Sequence, residues 1–597
     1  MFFTRCILAS AELVSHKREN PLPASSPSPF RTNIRDPLVA RLVGPGKLIE
    51  IETVDVGGYP REVIKGAPRN LAGIYRKAMQ FGERLMVVHG DVRLTYAEMF
   101  ARAAALGHEL RGQFGVGRGT VVAVVTSNRA EWIVSLLAVT SVGGIAALVN
   151  SRGVAEEMLR AMEKVDCVLA ILDAERDDLI SAVRPDPSWP RVVIGTPQVP
   201  LRAGKDADFA ALSVHREGHA FVPADMNQTD GAIILFTSGT TGFPKGALLS
   251  HGALAASVSI ACFMGTLQDL RYEEESGETL PDHQRSMATP AVILGPMFHL
   301  SGIMPTLRAI SVGTTIHIMG KWNADVAMDM IEAVGMTRLS FVSAMLFDIF
   351  KSARATPELL AQVRYMVNGA APLDMRLVEE IKARMPHCQL ANGYGQTEAT
   401  AWTCGINGNV YLEHPASCGW PAPTVQVQLR RDDGTEPAIG EPGELWVSSA
   451  MLMNEYFNDP EATAETLQDG WLASGDIATV NEAGIYTIVD RKKNMVISGG
   501  ENIYCAEVER VLGGIPGVRE AIAYGLPDAR LNERLVATLV VGADTGLTDE
   551  AVKAYCREHM AIYKVPREVT LITEPLPRTA SGKVDRGTFL KNVRGAA

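Results

Sequence analysis

From about residue 95 onward, apolar and polar positions alternate between two spacings. The stretch LTYAEMFARAAALGHELR repeats apolar residues at the spacing of an amphipathic helix, whereas VVAVVTSN is a short β-branched run. Helix-like AEWIVSLLAVTSV and GVAEEMLRAMEKV then alternate with strand-like IAALVN and CVLAILD. Helices that alternate with strands predict parallel sheets covered by helices, which is the α/β class.

The pattern changes further along the chain. After about residue 405, VQVQLRRDDGTEPAIGEPGELWVSSA breaks into short alternating runs separated by Gly, Pro and Asp. Such runs predict antiparallel strands in a small barrel or sandwich. From about residue 491, strands such as LVATLVV mix with helices such as CAEVERVLGG. The sequence therefore predicts a large α/β region followed by a small α+β module.

Three stretches depart from this alternation. Residues 266–288, LQDLRYEEESGETLPDHQRSMAT, are polar and acidic, so we predict a surface insertion there. Residues 133–149 carry no charge but are short for a bilayer, and Gly143 and Gly144 interrupt them. We therefore predict a buried helix and strand there, and no transmembrane segment. Residues 1–35 contain PLPASSPSP after a poor signal-peptide pattern, which predicts a disordered tail, with a misassigned start as the alternative.

Composition and charge narrow the function. A chain of 597 residues is too long for one ordinary core, so at least two domains are expected. The formal net charge of −11 argues against nucleic acid or an anionic membrane as the main partner. The eight cysteines form no C-x-x-C pair, so we predict neither a zinc site nor a disulfide framework, and we expect a cytoplasmic protein. A homodimer stays open.

Candidate chemistry first appears where the run GAIILFTS ends, in LFTSGTTGFPKGALLSH (235–251). Its glycines allow close approach of a ligand, its hydroxyls can donate hydrogen bonds, and Lys245 supplies a positive charge. It is not a Walker A loop, because Pro244 precedes the lysine and Gly246 stands where that motif needs a Ser or Thr. The pattern predicts a polyphosphate site at the end of a strand. Taken alone, a flexible polar surface loop is the alternative.

Further motifs follow in a fixed order: NGAAPL (368–373), NGYGQTEAT (392–400), DGWLASGDIA (469–478), IVDRKKNMVISGGENI (488–503) and PRTASGKVDR (577–586). With the loop, they resemble the adenylate-forming superfamily of acyl-CoA synthetases, adenylation domains and luciferases, over about residues 70–590. ISGGENI and PRTASGKVDR look most like fatty and aryl acyl-CoA ligases.

The resemblance implies a fold and a domain division. It implies a large N-terminal domain, residues 36–490, of two helix-covered sheets plus a small β-barrel. A small mobile α+β C-terminal domain, residues 491–597, would follow a hinge near Lys493. In one pose this domain would deliver a catalytic lysine, and after a large rotation it would present another face for thiol attack.

The implied reaction has two halves and needs ATP, Mg²⁺ and coenzyme A. Attack of a carboxylate on the α-phosphate of ATP would form an acyl-adenylate and pyrophosphate, and a thiol would then displace AMP. Such a site needs a phosphate cradle, a metal, an adenosine pocket and a cation near the reacting oxygens.

The resemblance assigns roles to single residues. Lys583 would bridge the carboxylate and the α-phosphate, and Thr237 is assigned to the catalytic set as a hydroxyl donor. Glu398, a hard oxygen donor, would bind Mg²⁺. His299, in PMFHLSG, would wall or gate the acyl pocket rather than act as a base. Asp476 would accept both ribose hydroxyls.

The predicted cofactor-binding residues come from all of these motifs. Those for ATP are Thr237, Ser238, Gly239, Thr240, Thr241, Lys245, Gly369, Ala370, Ala371, Asn392, Gly393, Tyr394, Gly395, Thr397, Asp476, Arg491 and Lys583. Those of the hinge and the pantetheine tunnel are Lys493, Ser498, Gly499 and Gly500.

The predicted acyl pocket is apolar. No Arg or Lys occurs in PMFHLSGIM, FVSAML or YGQTEATAW, so a second carboxylate on the substrate would lack a partner, and burying one unpaired is costly. We therefore expect a monocarboxylic, mainly apolar acid, with fatty, aryl-alkanoic and steroid side-chain acids all open. The predicted lining residues are Phe298, Leu300, Met304, Phe341, Val342, Met345, Val367, Asn392 and Trp402.

Three functions stand as alternatives. One is a stand-alone acyl-CoA ligase, the second an adenylation enzyme that loads a carrier protein, and the third a P-loop NTPase or a non-catalytic nucleotide binder. The broken Walker pattern and the PRTASGK motif disfavour the third. The sequence shows no carrier module after Lys583, so we expect free CoA to be the acceptor.

Overall fold

The computed structural model describes residues 35–237, 245–335, 337–341, 343–369, 375–498, 501–528, 530–542, 545–579 and 584–596. The chain divides into two compact units. The larger holds the described residues up to Gln426 together with Val447–Leu472, and the smaller holds Val427–Trp446 and the described residues from Ala473 onward. The predicted tail, except for Arg35, lies outside the described residues. The boundary between residues 490 and 491 stays a prediction.

The larger unit is built on an eight-stranded sheet with a parallel centre. Val121–Val125 pairs in parallel with both Ile145–Leu148 and Leu169–Asp173, and the helix Ala130–Ser141 connects the first two of these strands. The predicted alternation is therefore confirmed. In spatial order the strands are Glu455–Tyr456, Lys245–Ser250, Gly231–Thr237, Ile145–Leu148, Val121–Val125, Leu169–Asp173, Arg191–Ile194 and Ala207–Asp208.

Further sheets of the larger unit carry the acyl-pocket and nucleotide motifs. A four-stranded sheet contains Ala291–Ile293, Ile316–Ile318, Leu85–His89 and Val92–Thr95. A five-stranded sheet contains Arg338–Phe341, Tyr365–Gly369, Gln389–Tyr394, Cys404–Asn407 and Trp420–Pro421. A two-stranded sheet pairs Ile51–Val56 with Tyr59–Ile64.

Helices of the larger unit begin and end on local signals. The helix Tyr96–Gly112, for example, starts with a capping box in which the Thr95 hydroxyl accepts from the Glu98 backbone N–H and the Glu98 carboxylate accepts from that of Thr95. The α-helices of this unit are Pro37–Leu42, Leu71–Ala78, Tyr96–Gly112, Ala130–Ser141, Ala155–Lys164, Ala174–Val183, Phe209–Leu212, His251–Ser276, Leu300–Val312, Ala324–Val334, Ser343–Lys351, Pro357–Leu360, Met375–Arg384, Asn409–Glu413 and Pro460–Thr466.

Two predictions about unusual stretches have different outcomes. The uncharged run 133–149 is a buried helix end followed by the buried strand Ile145–Leu148, as predicted. The prediction of a surface insertion at 266–288 is wrong for its first half, because the helix His251–Ser276 continues through it with Asp269 buried. Asp269 is tolerated there because Arg338 pairs with it and Ser286 donates to it at 2.9 Å from both N and Oγ.

The same helix has the composition of a membrane span. Among the described residues, only the helix His251–Ser276 is long and apolar enough to cross a membrane. Of its most apolar 18-residue stretch, 78% is buried inside the protein. Burial of this extent is what the core helix of a globular unit shows.

The smaller unit contains the predicted α+β module. A sheet with the strands Gln426–Arg430, Gly443–Ser448, Trp471–Val480 and Tyr486–Arg491 takes the place of the predicted small β-barrel, and it is not closed among the described strands. The short strand Leu467–Gln468 lies in the larger unit. A second sheet contains Glu501–Ile503, Val496–Ser498, Asn532–Val541, Val518–Asp528 and Glu568–Ile572. The helices are Cys505–Gly513, Asp549–His559 and Arg586–Ala596.

Candidate active site

The predicted phosphate loop joins two adjacent strands. Gly231–Thr237 pairs antiparallel with Lys245–Ser250, and Thr237 lies opposite Lys245 at the end of the ladder. The predicted residues Ser238, Gly239, Thr240 and Thr241 lie outside the described residues. Both stems of the loop are thus fixed in the eight-stranded sheet, which holds Thr237 and Lys245 side by side.

The predicted adenine and metal residues follow the ends of parallel strands in a different sheet. Tyr365–Gly369 pairs in parallel with Gln389–Tyr394, so that Gly369 lies opposite Gly393. The chain then turns through a 3₁₀ segment, Thr397–Ala399. A side chain at Gly395 would clash with the Ala401 carbonyl, so this tight turn requires glycine. Ala370 and Ala371 lie outside the described residues.

Glu398, Tyr456 and Lys245 form one contact chain. The Glu398 side chain is buried, with 9% of the residue exposed, and its Oε1 accepts a hydrogen bond from the Tyr456 hydroxyl at 2.7 Å. The ammonium of Lys245 lies 4.9 Å from the centroid of the Tyr456 ring, within the range of a cation–π interaction. The structure therefore brings the predicted phosphate lysine and the predicted magnesium ligand to the same side chain.

Sequence reasoning did not find Tyr456. It lies in NEYFNDPEAT, where its spacing suggests only a short strand. Only the fold shows that Tyr456 belongs to the site, because Glu455–Tyr456 forms the edge strand beside Lys245–Ser250.

Backbone hydrogen bonds tie this edge strand to the Glu398 turn. We call residues 451–457 the bridging segment. At one end Met453 N donates to the Glu398 carbonyl at 2.8 Å, and the Thr400 hydroxyl donates to the Met451 carbonyl at 2.6 Å. At the other end Phe457 N donates to the Gly246 carbonyl at 2.7 Å. The bridging segment thus sets the position of the turn relative to the strand that carries Lys245.

The segment before His299 is held by a side chain that the sequence did not reveal. Buried Asn128 accepts from Met297 N at 2.9 Å through Oδ1 and donates to the Gly295 carbonyl at 2.9 Å through Nδ2. Phe298 is buried and its ring lies 4.9 Å from that of His299. A buried amide that satisfies two backbone groups fixes this segment at the start of the helix Leu300–Val312.

The other predicted acyl-pocket residues lie on neighbouring strands and helices. Trp402 packs against bare backbone: a Cβ added at Gly393 or at Gly405 would lie 3.2 or 3.3 Å from its ring. The Asn392 amide donates to the Ser417 carbonyl at 2.7 Å, so this donor is engaged by backbone. Met304 and Phe341 are buried, Leu300, Met345 and Val367 are half-buried, and Val342 lies outside the described residues.

In the smaller unit, the predicted ribose acceptor Asp476 is paired with Arg491, another predicted ATP-binding residue. Asp476 lies opposite Arg491 in an antiparallel ladder, and Arg491 Nε is 3.1 Å from Asp476 Oδ1. Asp476 is buried and Arg491 is half-exposed. The buried carboxylate of Asp476 is thus paired with a guanidinium at the position that the ribose assignment names.

The predicted hinge begins at a carboxylate that fixes the backbone. Asp490 accepts from Arg491 N at 2.6 Å and from Ala506 N at 2.8 Å. Lys493 is exposed and Ser498 is half-buried, whereas Gly499 and Gly500 lie outside the described residues.

Lys583 also lies outside the described residues, but its flanks are held together. Arg578 and Val584 form an antiparallel bridge, and Asp585 N donates to the Pro577 carbonyl at 2.7 Å. Arg586 pairs with Glu509, and Arg578 pairs with Glu520 at 2.7 Å.

The strand that begins at Lys245 is thus joined through Tyr456 to the carboxylate of Glu398, so that a cation and a hard oxygen donor lie at one site. The chain belongs to the AMP-binding enzyme family, whose model matches residues 74–457, and the model of the AMP-binding enzyme C-terminal domain matches residues 507–583. The predicted superfamily, fold class and enzymatic character are thereby confirmed.

Similar proteins include CoA ligases for aromatic and for fatty acids. A feruloyl-CoA synthase from Amycolatopsis sp is 31% identical over 86% of this chain and 96% of the relative. A long-chain-fatty-acid–CoA ligase from Mycobacterium tuberculosis is 30% identical over 83% of this chain and 92% of the relative. The solved structure of the Bacillus subtilis o-succinylbenzoate CoA synthetase in complex with ATP and magnesium ion is 26% identical, with a TM-score of 0.70, and covers 86% of this chain and 98% of that one.

Proposed function

We propose that this protein is an AMP-forming acyl-CoA ligase that uses ATP and Mg²⁺ to activate an apolar monocarboxylic acid and then transfers the acyl group to CoA. The observation that carries the proposal is the contact chain from Lys245 through Tyr456 to Glu398 at the end of the phosphate-loop strands. It combines a cation for polyphosphate with a hard, buried oxygen donor for a divalent metal.

Glu398 fits the role of a magnesium ligand. Its Oε1 is held by the Tyr456 hydroxyl, while the described residues supply no hydrogen-bond donor to its Oε2. A buried carboxylate with one oxygen fixed and the other without a donor suits a divalent cation, which binds carboxylate oxygens. When bound, Mg²⁺ would neutralise charge on the polyphosphate.

The other predicted site residues have separate roles in the first half-reaction. Lys245 and the loop before it would hold the polyphosphate, and the Asp476 carboxylate would accept from the ribose hydroxyls. Lys583 would donate to the reacting carboxylate and α-phosphate oxygens where charge develops. A positively charged donor there lowers repulsion between the attacking carboxylate and the phosphate.

The substrate class rests on the apolar character of the predicted pocket. Phe298, Met304 and Phe341 are buried without a basic side chain in their motifs, and Trp402 lies against Gly393. Apolar burial favours acids with more carbon, by about 0.8 kcal/mol for each methylene. The names of the feruloyl-CoA and fatty-acid relatives are consistent with such substrates. The 2-succinylbenzoate ligases among the relatives are named for a dicarboxylic acid, so a dicarboxylate belongs in any test.

Among simple acids, we expect kcat/KM to rise with apolar size. Each methylene should raise kcat/KM by about four-fold at most until the pocket is full. The test measures AMP release, with and without CoA, for six acids: acetate, malonate, octanoate, a phenylalkanoate, palmitate and 2-succinylbenzoate. Preference for octanoate, palmitate or the phenylalkanoate supports the proposal. Preference for acetate, malonate or 2-succinylbenzoate would refute the apolar monocarboxylic pocket while leaving the adenylation chemistry intact.

Replacing Glu398 by glutamine should raise the Mg²⁺ concentration needed for half-maximal rate. An amide is a weaker ligand than a carboxylate, so we expect a rise of about ten-fold or more. The matched control is Glu274→Gln, which removes one charge from a half-exposed ion pair with Arg41. An unchanged magnesium dependence in Glu398→Gln would exclude Glu398 as the ligand.

A further inference from the structure

We propose that Tyr456 is a positioning residue that holds Glu398 and Lys245 apart and oriented, the carboxylate for the metal and the ammonium for polyphosphate. This inference rests on the proposed roles of Glu398 and Lys245. It assigns a specific task to a side chain outside the sequence motifs.

The two functional parts of the tyrosine side chain contact two opposite charges. Its hydroxyl donates to Glu398 Oε1 at 2.7 Å, and its ring faces the Lys245 ammonium at 4.9 Å from the ring centroid. Only 6% of Tyr456 is exposed. Both contacts are therefore poorly screened by water and stronger than they would be at the surface.

Tyr456 acts as a spacer between these charges. No ion pair within 4.0 Å joins Lys245 to Glu398 among the residues that the structure describes. A direct pair would neutralise both groups and use the oxygen and the ammonium that a metal and a phosphate need. With the phenol between them, the carboxylate is oriented by a hydrogen bond and the ammonium by the ring.

The backbone of Tyr456 is fixed well enough to perform this task. Tyr456 lies opposite Ala247 in the edge strand beside Lys245–Ser250. Its N–H donates to the Thr463 hydroxyl at 2.9 Å, and that hydroxyl donates to the Asp459 carbonyl at 2.8 Å. The neighbouring Met453 N–H donates to the carbonyl of Glu398 itself. One short segment thus holds the spacer and the carboxylate that it orients.

Two substitutions separate the two contacts. Tyr456→Phe removes the hydroxyl and keeps the ring, so metal binding should weaken and metal-free ATP binding should not. We expect Mn²⁺ to bind the enzyme–ATP complex about ten-fold more weakly, because a hydrogen bond to a charged group is lost. Tyr456→Leu removes both contacts, so ATP binding without metal should also weaken, by about three-fold or more.

The measurements are electron paramagnetic resonance of free Mn²⁺ with saturating ATP, and calorimetric titration with ATP in EDTA. The matched control is Tyr96→Phe, which removes a buried hydroxyl that donates at 2.9 Å to the carbonyls of Ala309 and Thr314. It should leave both affinities unchanged. Thermal melting of each variant confirms that it is folded, and Tyr456→Phe carries the test alone if Tyr456→Leu does not fold.

The outcomes separate this inference from the proposed function. Weaker Mn²⁺ binding in Tyr456→Phe but not in Tyr96→Phe supports the positioning role. Wild-type Mn²⁺ and ATP affinities in Tyr456→Phe would overturn it, as would equal losses in Tyr96→Phe, which would indicate a general packing effect. If Glu398→Gln also binds Mn²⁺ as the wild type does, the metal assignment itself fails.

Discussion

Replacing Lys583 by alanine should slow acyl-adenylate formation by about 10²–10³-fold or more and leave acyl transfer from supplied acyl-AMP to CoA running. The lysine is expected to act only where the carboxylate attacks the α-phosphate, since that step develops charge between two anionic groups. The match to the C-terminal family domain extends to residue 583 itself. The flanking bridge between Arg578 and Val584 holds the ends of the segment that carries it.

Single-turnover assays of the two half-reactions measure this prediction. Pyrophosphate release reports the first half, and CoA thioester formation from synthetic acyl-AMP reports the second. Lys591→Ala, which removes an exposed lysine eight positions further on, is the matched control and should leave both rates unchanged. Equal loss of both half-reactions in Lys583→Ala would contradict the assigned role.

A second large effect is expected on stability, where Arg191→Met should lower the free energy of unfolding by about 3–5 kcal/mol. The Arg191 side chain is 1% exposed, and its guanidinium lies 3.0 Å from Asp177 and 2.7 Å from Asp206, whose side chains are both fully buried. The same guanidinium donates to the Ser181 hydroxyl and the Pro200 carbonyl. Methionine would leave two buried carboxylates without their shared partner. Of these two carboxylates, Arg202 pairs with Asp206 and not with Asp177.

The loss should depend on pH. Burial raises the pKa of Asp177 to about 6, although the positive charge of Arg191 acts to lower it. Burial also acts to raise the pKa of Asp206, but hydrogen bonds from Arg202 and Arg191 outweigh it and hold that pKa well below its usual range. The ordinary pKa of an aspartate is about 4, so the folded protein holds the Asp177 proton to a higher pH than the unfolded chain does. Asp177 therefore contributes less stability as pH rises from about 4 to about 6. Asp206 contributes stability above about pH 4 that is lost in acid.

Without Arg191, both carboxylates lose an attractive charge and their pKa values should rise. The destabilisation by Arg191→Met should therefore be largest near pH 8 and smaller near pH 5, where protonation removes the buried charge. Urea unfolding followed by tryptophan fluorescence measures both values. Arg41→Met, which breaks a half-exposed pair with Glu274, should change little at either pH. A pH-independent loss would mean that packing, rather than charge, dominates at Arg191.

The periodic parts of the fold were predictable from local pattern. Short apolar runs such as CVLAILD, bounded by helical stretches, are typical of strands buried on both faces, and Leu169–Asp173 is such a strand. The acidic stretch after residue 265 was mispredicted because its polarity is real but its partners are distant in sequence. Asp269 lies in the helix His251–Ser276, whereas Arg338, which pairs with it, begins the strand Arg338–Phe341. A charge pattern alone cannot show that a carboxylate is paired inside the protein.

In the candidate site too, residues within sequence motifs were predictable, whereas residues that act through tertiary contacts were not. Lys245, Glu398 and Asp476 lie in motifs whose residue types and order already point to nucleotide chemistry. Tyr456 and Asn128 act through tertiary contacts, one between an edge strand and a turn, the other between a strand end and the segment before His299. Nothing in their local sequence distinguishes them from structural residues, so only the folded chain reveals them.

The central claim is that the carboxylate is activated as an adenylate and delivered to CoA. The most direct test is the product balance after incubation with ATP, Mg²⁺, CoA and octanoate, measured by chromatography of nucleotides and thioesters. The proposal predicts AMP, pyrophosphate and octanoyl-CoA in equal amounts, with no AMP formed when the acid is omitted. ADP and phosphate as products, or no acyl-CoA with octanoate or any other acid of the panel, would contradict it.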